Sequence, residues 1–296
     1  SMIEAAGLPP PGLILILGGL LLPLLRGAGP AVALALPLLT LAAIWTIPGD
    51  LSVSMPFMGD YTLTVLSWQP ATAVFATIFA LMAFGGALFA HPITGLTSER
   101  GKRWQVELPA AFVYAGSAIC VTFAGDILSL FMFWELMAIG STVVVWSSGT
   151  RESARAGLRY ALVHLVGGVV LMAGILAHVF ALQSQGVADP LALSHFAFGP
   201  AGFDALSFGA GQAAPWLILI GVLVNAAAPP LGSWLADAYP EASESGTVFL
   251  SAFTTKTAVY VLMLLFAGTE LLIYVGLAMA VYGIVYAILE NDMRRI

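Results

Sequence analysis

Two ionisable residues stand inside long apolar runs. Glu135 sits in LSLFMFWELMAIGS and Lys256 in SAFTTKTAVYV. Burial favours the neutral form of an acid, and a nearby cation favours the carboxylate. A membrane glutamate facing a movable cation can therefore bind and release a proton near neutral pH. The alternative is a permanently protonated glutamate hydrogen-bonded to a neighbouring helix. Glu135 falls about 8 residues, or roughly 12 Å, into its helix at the usual helical rise, near mid-membrane. Lys256 lies about ten residues into its own helix, too deep to reach the interface comfortably. It is expected to face a polar interior, where Thr254, Thr255 and Thr257 would bond it or hold water. The alternative is a structural ion pair with a buried acid.

The stretch before Lys256 is a broken helix. An apolar run ends at Asn225, and Pro229-Pro230 follow one turn later. Broken backbone at membrane depth survives only where protein or a water-filled cavity satisfies the freed groups, and transporters often place ion sites there. Asn225 cannot exchange protons and fits a helix–helix hydrogen bond. Asp237, Glu241 and Glu244 crowd the link that follows, either as an acidic mouth that concentrates cations or as a solvated loop. His164 and His178 lie 14 residues apart on one helix, which puts them on one face about 21 Å apart. They read as part of a proton path or as satisfied packing groups. Arg151, Arg155 and Arg159 form an i, i+4, i+8 stripe, most simply an anchor at the inner surface.

The elements that position these residues are membrane spans. The chain has 296 residues, 60% hydrophobic and 9% charged, with mean hydropathy +0.97. A soluble domain carries about 25% charged residues, so the expected fold is an all-α polytopic membrane protein in a lipid bilayer. Nine apolar segments are predicted near 12–25, 31–48, 68–90, 109–124, 127–147, 157–182, 214–228, 246–267 and 271–289. The seventh is the discontinuous one. Of the ten Lys and Arg, nine (Arg26, Arg100, Lys102, Arg103, Arg151, Arg155, Arg159, Arg294 and Arg295) fall in loops on one side. The opposite loops hold Glu4, Asp50, Asp60, Asp126, Asp189, Asp204 and Glu270. The positive-inside rule then puts the N-terminus outside and the C-terminus in the cytoplasm.

The link 183–211 is expected outside, its Phe196, Phe198, Phe203 and Phe208 acting as an interfacial cover. The lone Cys120 excludes an internal disulfide and reads as packing. No basic region precedes the first apolar stretch, so no cleavable signal peptide is expected. No nucleotide-binding glycine loop and no His/Cys metal spacing occur, so no cofactor or metal is expected. Nothing points to nucleic acid.

WLADAYPEASESGTVFLSAFTTKTAVYVL resembles the Trp-Leu-Pro-Asp-Ala … Ser-Ala … Lys-x-x-Val-Tyr signature of antiporter-like membrane subunits. These occur in the complex I membrane arm, group 4 hydrogenases and Mrp-type cation/proton antiporters. FMFWELMAIGS is similar to that family's glutamate-bearing fifth helix, and ENDMRRI to the start of a later Gln-x-Asp-Leu-Lys-Arg segment. The likeness runs from about Leu108 to Ile296 and is nearest the Mrp D-type subunit. It implies a proton-binding role for Glu135 and a relay role for Lys256, and His164 is a candidate relay from its own type and place. The family's seventh-helix lysine falls on Asn225, a departure. A histidine and a second proline are also replaced around Pro230–Asp237. Without that cation Glu135 is expected to stay protonated unless Lys256 or Arg159 reaches it.

The family fold has about fourteen helices containing two inverted five-helix repeats. This divides the chain into residues 1–107 (three helices), 108–268 (one repeat) and 269–296 (the start of a second). The chain is thus either a fragment or a split subunit completed by a partner. Three functions are expected from the resemblance. The first is a subunit of a proton-coupled Na+ or K+ antiporter assembly, partnered by other membrane subunits. The second is a non-conducting scaffold that has lost the lysine. The third is a proton-translocating subunit of a complex I-like or hydrogenase complex, the one setting in which the assembly would be an enzyme, a translocase.

Overall fold

The computed structural model describes residues 8–25, 27–59, 61–91, 103–209 and 211–295. Glu4, Arg26, Asp60, Arg100 and Lys102 of the charge pattern lie outside the described residues. The helices are α1 (Gly12–Leu21), α2 (Gly29–Thr46), α3 (Thr72–Ala90), α4 (Leu108–Phe123), α5 (Ile127–Trp146) and α6 (Arg151–Ser184). They continue with α7 (Ala213–Asn225), α8 (Ser233–Ala238), α9 (Glu244–Ala252), α10 (Thr254–Leu265) and α11 (Leu271–Leu289). Among the described residues, seven helical stretches are long and apolar enough to cross a membrane, and two shorter apolar ones, Gly12–Leu24 and Ala213–Asn225, complete the predicted set.

The core is built on α4. Every residue from Leu108 to Phe123 is buried, because small residues let its neighbours approach to backbone distance. A Cβ on Gly116 would meet the Ile16 side chain of α1 at 2.8 Å, and one on Gly140 of α5 would meet the Tyr114 nitrogen at 2.9 Å. Helix α6 has 34 residues, about 50 Å at the helical rise, so it outreaches a hydrocarbon core of about 30 Å. Thr150 starts it as a capping box with Ser153, and its first turns carry Arg151, Arg155 and Arg159.

Three differences from the sequence expectation matter for the site. First, residues between α2 and α3 form a hairpin of β1 (Ser52–Phe57) and β2 (Tyr61–Ser67), paired antiparallel. It is fastened to the bundle by Asp126, the N-cap of α5, which accepts from the Thr64 and Ser129 nitrogens, each at 2.7 Å. Burial raises this carboxyl above its ordinary pKa, while those two bonds pull it back down.

Second, the eighth segment is not continuous. It breaks at Phe253 (φ −115°, ψ −58°) into α9 and α10. The cause is Tyr114 of α4. Its hydroxyl accepts from the Thr254 nitrogen at 2.9 Å and lies 3.4 Å from the Leu250 carbonyl, the i−4 partner that nitrogen would have in an unbroken helix. A side chain inserted into the ladder is a recognised cause of a kink.

Third, two of the four phenylalanines in the link 183–211 enter the core. Phe196 and Phe203 are buried, and the Phe198 nitrogen donates to the Leu265 carbonyl at 2.8 Å. Phe208 alone of the four is exposed, stacked on Trp216.

Candidate functional site

The predicted break in the seventh segment is present. Helix α7 ends at Asn225, and the chain turns through Ala227 (φ 58°) and a cis Pro229-Pro230 bond before α8 begins at Ser233. The turn is tight enough to demand Gly232, where a Cβ would lie 2.8 Å from the Ala227 carbonyl carbon. Trp234 of α8 folds back, and its indole N–H donates to the Val224 carbonyl at 2.9 Å. That carbonyl belongs to the last turn of α7, where no further helix follows to bond it.

Trp234 also packs edge-on against His164 and Tyr160 of α6, with ring centroids 4.6 and 5.3 Å away. Asp237 holds the other end of α8. At this exposed end it accepts two bonds from Arg159, 2.6 Å from Nε and 2.7 Å from Nη2. Arg159 is therefore engaged with Asp237 and does not pair with Glu135.

Glu135 projects from α5 onto α6 at Gly168. A Cβ on Gly168 would lie 2.9 Å from the Glu135 carboxyl carbon and 3.1 Å from Oε2. Glycine is needed here because the carboxylate occupies the space of a side chain. The carboxyl faces a groove of about 290 Å³ between α5 and α6, which His164 also lines and which runs along Thr142 to Trp146. From Glu135 to Trp146 is eleven residues, about 16 Å of helix, ending at the face that carries Arg151 and Arg155.

Two buried polar atoms here have no partner among the described residues, Glu135 Oε1 and His164 Nε2. The other ring nitrogen, Nδ1, lies 2.9 Å from the Tyr160 carbonyl. A carbonyl only accepts, so Nδ1 carries the proton. In the neutral ring Nε2 then keeps a free lone pair. An acid and a base, each with an unused atom, thus line one groove. His164 is four residues before Gly168, so the two groups lie about one helical turn apart. His178 is not part of this arrangement, since its Nε2 is bound to the His195 carbonyl at 2.8 Å in the outer link.

Lys256 is placed differently from the expectation of a polar interior. It is exposed on the flank of α10, and its Nζ donates to the Ser251 carbonyl at 2.6 Å and to Thr255 Oγ1 at 3.2 Å. The reason is helical phase. Thr254 and Thr257 take the buried face, and Lys256 between them points away. Asn225 is buried at the end of α7. Among the described residues, no hydrogen bond or ion pair joins Glu135 to Asn225 or Lys256.

The bundle and its broken seventh segment define a polytopic all-α membrane protein. A sequence model described as "NADH:quinone oxidoreductase/Mrp antiporter, TM" matches residues 124–296. The chain belongs to that family of antiporter-like membrane subunits.

Among curated relatives, it is 27% identical to NADH-quinone oxidoreductase subunit N of Deinococcus radiodurans, over 62% of this chain and 36% of that one. It is 22% identical to the D-type subunit of the Na(+)/H(+) antiporter of Alkalihalophilus pseudofirmus, over 83% of this chain and 51% of that one. The fold matches a chain of the membrane-bound sulfane sulfur reductase, an archaeal respiratory membrane complex. That match has a TM-score of 0.75 and 20% identity, covering 96% of this chain and 59% of the other. The chain thus spans about a third to three fifths of the length of these proteins.

Proposed function

We propose that the chain is a membrane subunit of a proton-coupled monovalent cation antiporter assembly, exchanging Na+ or K+ for protons. Glu135 is its proton-binding carboxyl, His164 the adjacent relay and Lys256 the relay on the far flank. Residues 108–268 form the antiporter-like repeat that holds them, and 269–296 open a second. The chain lies in the inner membrane with its N-terminus outside and C-terminus cytoplasmic, which puts the Trp146 end of the groove nearer the cytoplasmic, arginine-bearing face.

The observation that carries this reading is the Glu135 carboxyl facing a groove with one oxygen unsatisfied. A structural glutamate buried at that depth would be expected to bond a neighbouring helix. In vesicles containing the intact assembly, Glu135→Gln is expected to abolish proton-coupled sodium or potassium flux. Unchanged flux would refute the carrier role.

Asn225 favours a second reading, a subunit that keeps the fold without conducting. Asn225→Lys separates the two. A gain of proton flux indicates a silenced relay, and a loss indicates that asparagine serves a working path. The likeness to the NADH-quinone oxidoreductase relative supports a third setting, a redox-driven complex, which co-purification of iron–sulfur subunits would establish.

A further inference from the structure

Helix α8 has six residues, too few to stand as a helix without tertiary support. Two side chains of one face, three residues apart, fasten it to α6 and α7. Trp234 holds the inner end through the Val224 carbonyl and lies edge-on to His164. Asp237 holds the outer end through its two bonds from Arg159. Those bonds use both carboxylate oxygens, so the pair fixes orientation as well as distance. Glu241 adds a second negative charge toward the same guanidinium.

His164 lies under this helix. Tyr160 stacks on its ring at 4.0 Å, and among the described ring contacts Trp234 is the one that reaches it from outside α6. The ring lines the groove, yet its Nε2 is buried and unpartnered. The latch at the outer end is of a different kind, because the Arg159 and Asp237 side chains are 55% and 38% exposed. An exposed pair shifts an equilibrium by no more than about fivefold, and salt weakens it. The helix that covers a buried base is thus held at its outer end by a weak contact open to solvent.

We propose that Asp237 and Arg159 are positioning residues for His164. Their pair keeps α8, and with it the Trp234 indole, closed over the ring, so that Nε2 meets the groove and not the water at the arginine-bearing face. Parting of the pair lets α8 lift and admits that water. The inference rests on the function proposed above and adds the element that decides which side His164 faces. An exposed pair suits this task, since a buried one is much harder to part.

The test uses the intact assembly in vesicles. It compares wild type, Asp237→Asn, Arg159→Gln, Arg159→Lys, the exchanged pair Asp237→Arg with Arg159→Asp, and Glu135→Gln. Three quantities are read: amide exchange over residues 233–238, proton leak without a sodium or potassium gradient, and cation-driven proton flux. Asp237→Asn and Arg159→Gln are expected to quicken exchange and raise the leak, each by about two- to fivefold. Arg159→Lys keeps the charge without the planar fork and should fall between. The exchanged pair should return both quantities toward wild type. Concentrated choline chloride should raise the wild-type leak and leave that of Arg159→Gln unchanged. A merely structural role would quicken exchange or lower assembly without opening a leak.

Faster exchange without a leak would show that the pair holds α8 but that α8 does not shield His164, and it would overturn the proposal. Unchanged exchange and leak in both single variants would overturn it too. In either case, loss of cation-driven flux in Glu135→Gln leaves the proposed function standing. Normal flux in Glu135→Gln would refute that function and, with it, the role of the cover. If the single variants fail to assemble, the wild-type leak in choline chloride decides, and a flat response overturns the proposal.

Discussion

Gly168→Ala separates the carrier role of Glu135 from the stability of the bundle. The added Cβ would stand 2.9 Å from the Glu135 carboxyl carbon and 3.1 Å from Oε2. Ordinary contacts lie at about 3.5–4.0 Å and Glu135 Oε1 stands nearer still to the added Cβ, so the carboxyl must retreat by more than about 1 Å. It has somewhere to go, because the groove beside it is open and the carboxyl is the far end of a flexible side chain. The strain is therefore small, and the helix gains about 1 kcal/mol from replacing glycine by alanine in its interior. Net stability should change by no more than about 1 kcal/mol.

Transfer is another matter, since a misplacement of about 1 Å can cost on the order of 10²-fold in rate. The variant assembly should thus melt near the wild-type temperature in detergent while its proton flux in vesicles falls about 10- to 100-fold. Normal flux with normal melting would show that the position of Glu135 against α6 is irrelevant to transport. Parallel loss of melting temperature and flux would show that Gly168 serves packing alone.

The remaining predictions concern the joints that position the site. Trp234→Phe removes the indole donor from the Val224 carbonyl, which keeps a 3.2 Å bond from the Ala227 nitrogen. The loss is therefore near the ordinary value of about 1 kcal/mol for one hydrogen bond, and amide exchange across residues 226–232 should quicken several-fold. Unchanged exchange would mean that the indole does not pin the break. Asp126→Ala removes the N-cap of α5, a loss of about 0.5–2 kcal/mol. It also leaves the Thr64 N–H without its acceptor, so the hairpin should become the first site of limited proteolysis. Asp126→Asn keeps one acceptor oxygen where the two bonds use both, so it should fall between wild type and Asp126→Ala, and equal resistance of all three proteins would sink the assignment.

What the sequence made legible follows the strength of each physical signal. Nine apolar stretches stand out because a run of about 20 apolar residues is rarely anything but a membrane span. The seventh break is visible because Pro229-Pro230 cannot continue a helix. The hairpin was missed although Ser52–Phe57 and Tyr61–Ser67 carry β-branched residues and flank a Gly59 turn. Short strands between strong spans are easily read as a loop.

The second break left no local sign, because SESGTVFLSAFTTKTAVYVL contains no proline and reads as one helix. Its cause sits 140 residues away at Tyr114. The same tertiary cause misdirected the expectation for Lys256, since mid-span depth is legible in a sequence but helical phase against a broken neighbour is not. Glu135 and His164 were each found by type, yet their shared groove depends on Gly168, whose significance appears only once α5 and α6 are packed.

The two breaks have a common logic. At membrane depth each carbonyl or N–H released from a helix must find a partner, and here aromatic residues supply it from their polar tips. The Trp234 indole serves α7 and the Tyr114 hydroxyl serves the α9–α10 joint. An aromatic residue suits both positions because its body packs as core while a single polar atom reaches the backbone. Tyr160 and His164 stand between the two joints, stacked on one another and edge-on to Trp234. Around these joints the interior is thus made polar by backbone groups and hydroxyls. A neutral Asn225 is compatible with that interior, where a lysine would need a counter-charge that Glu135, turned toward α6 and its groove, does not offer.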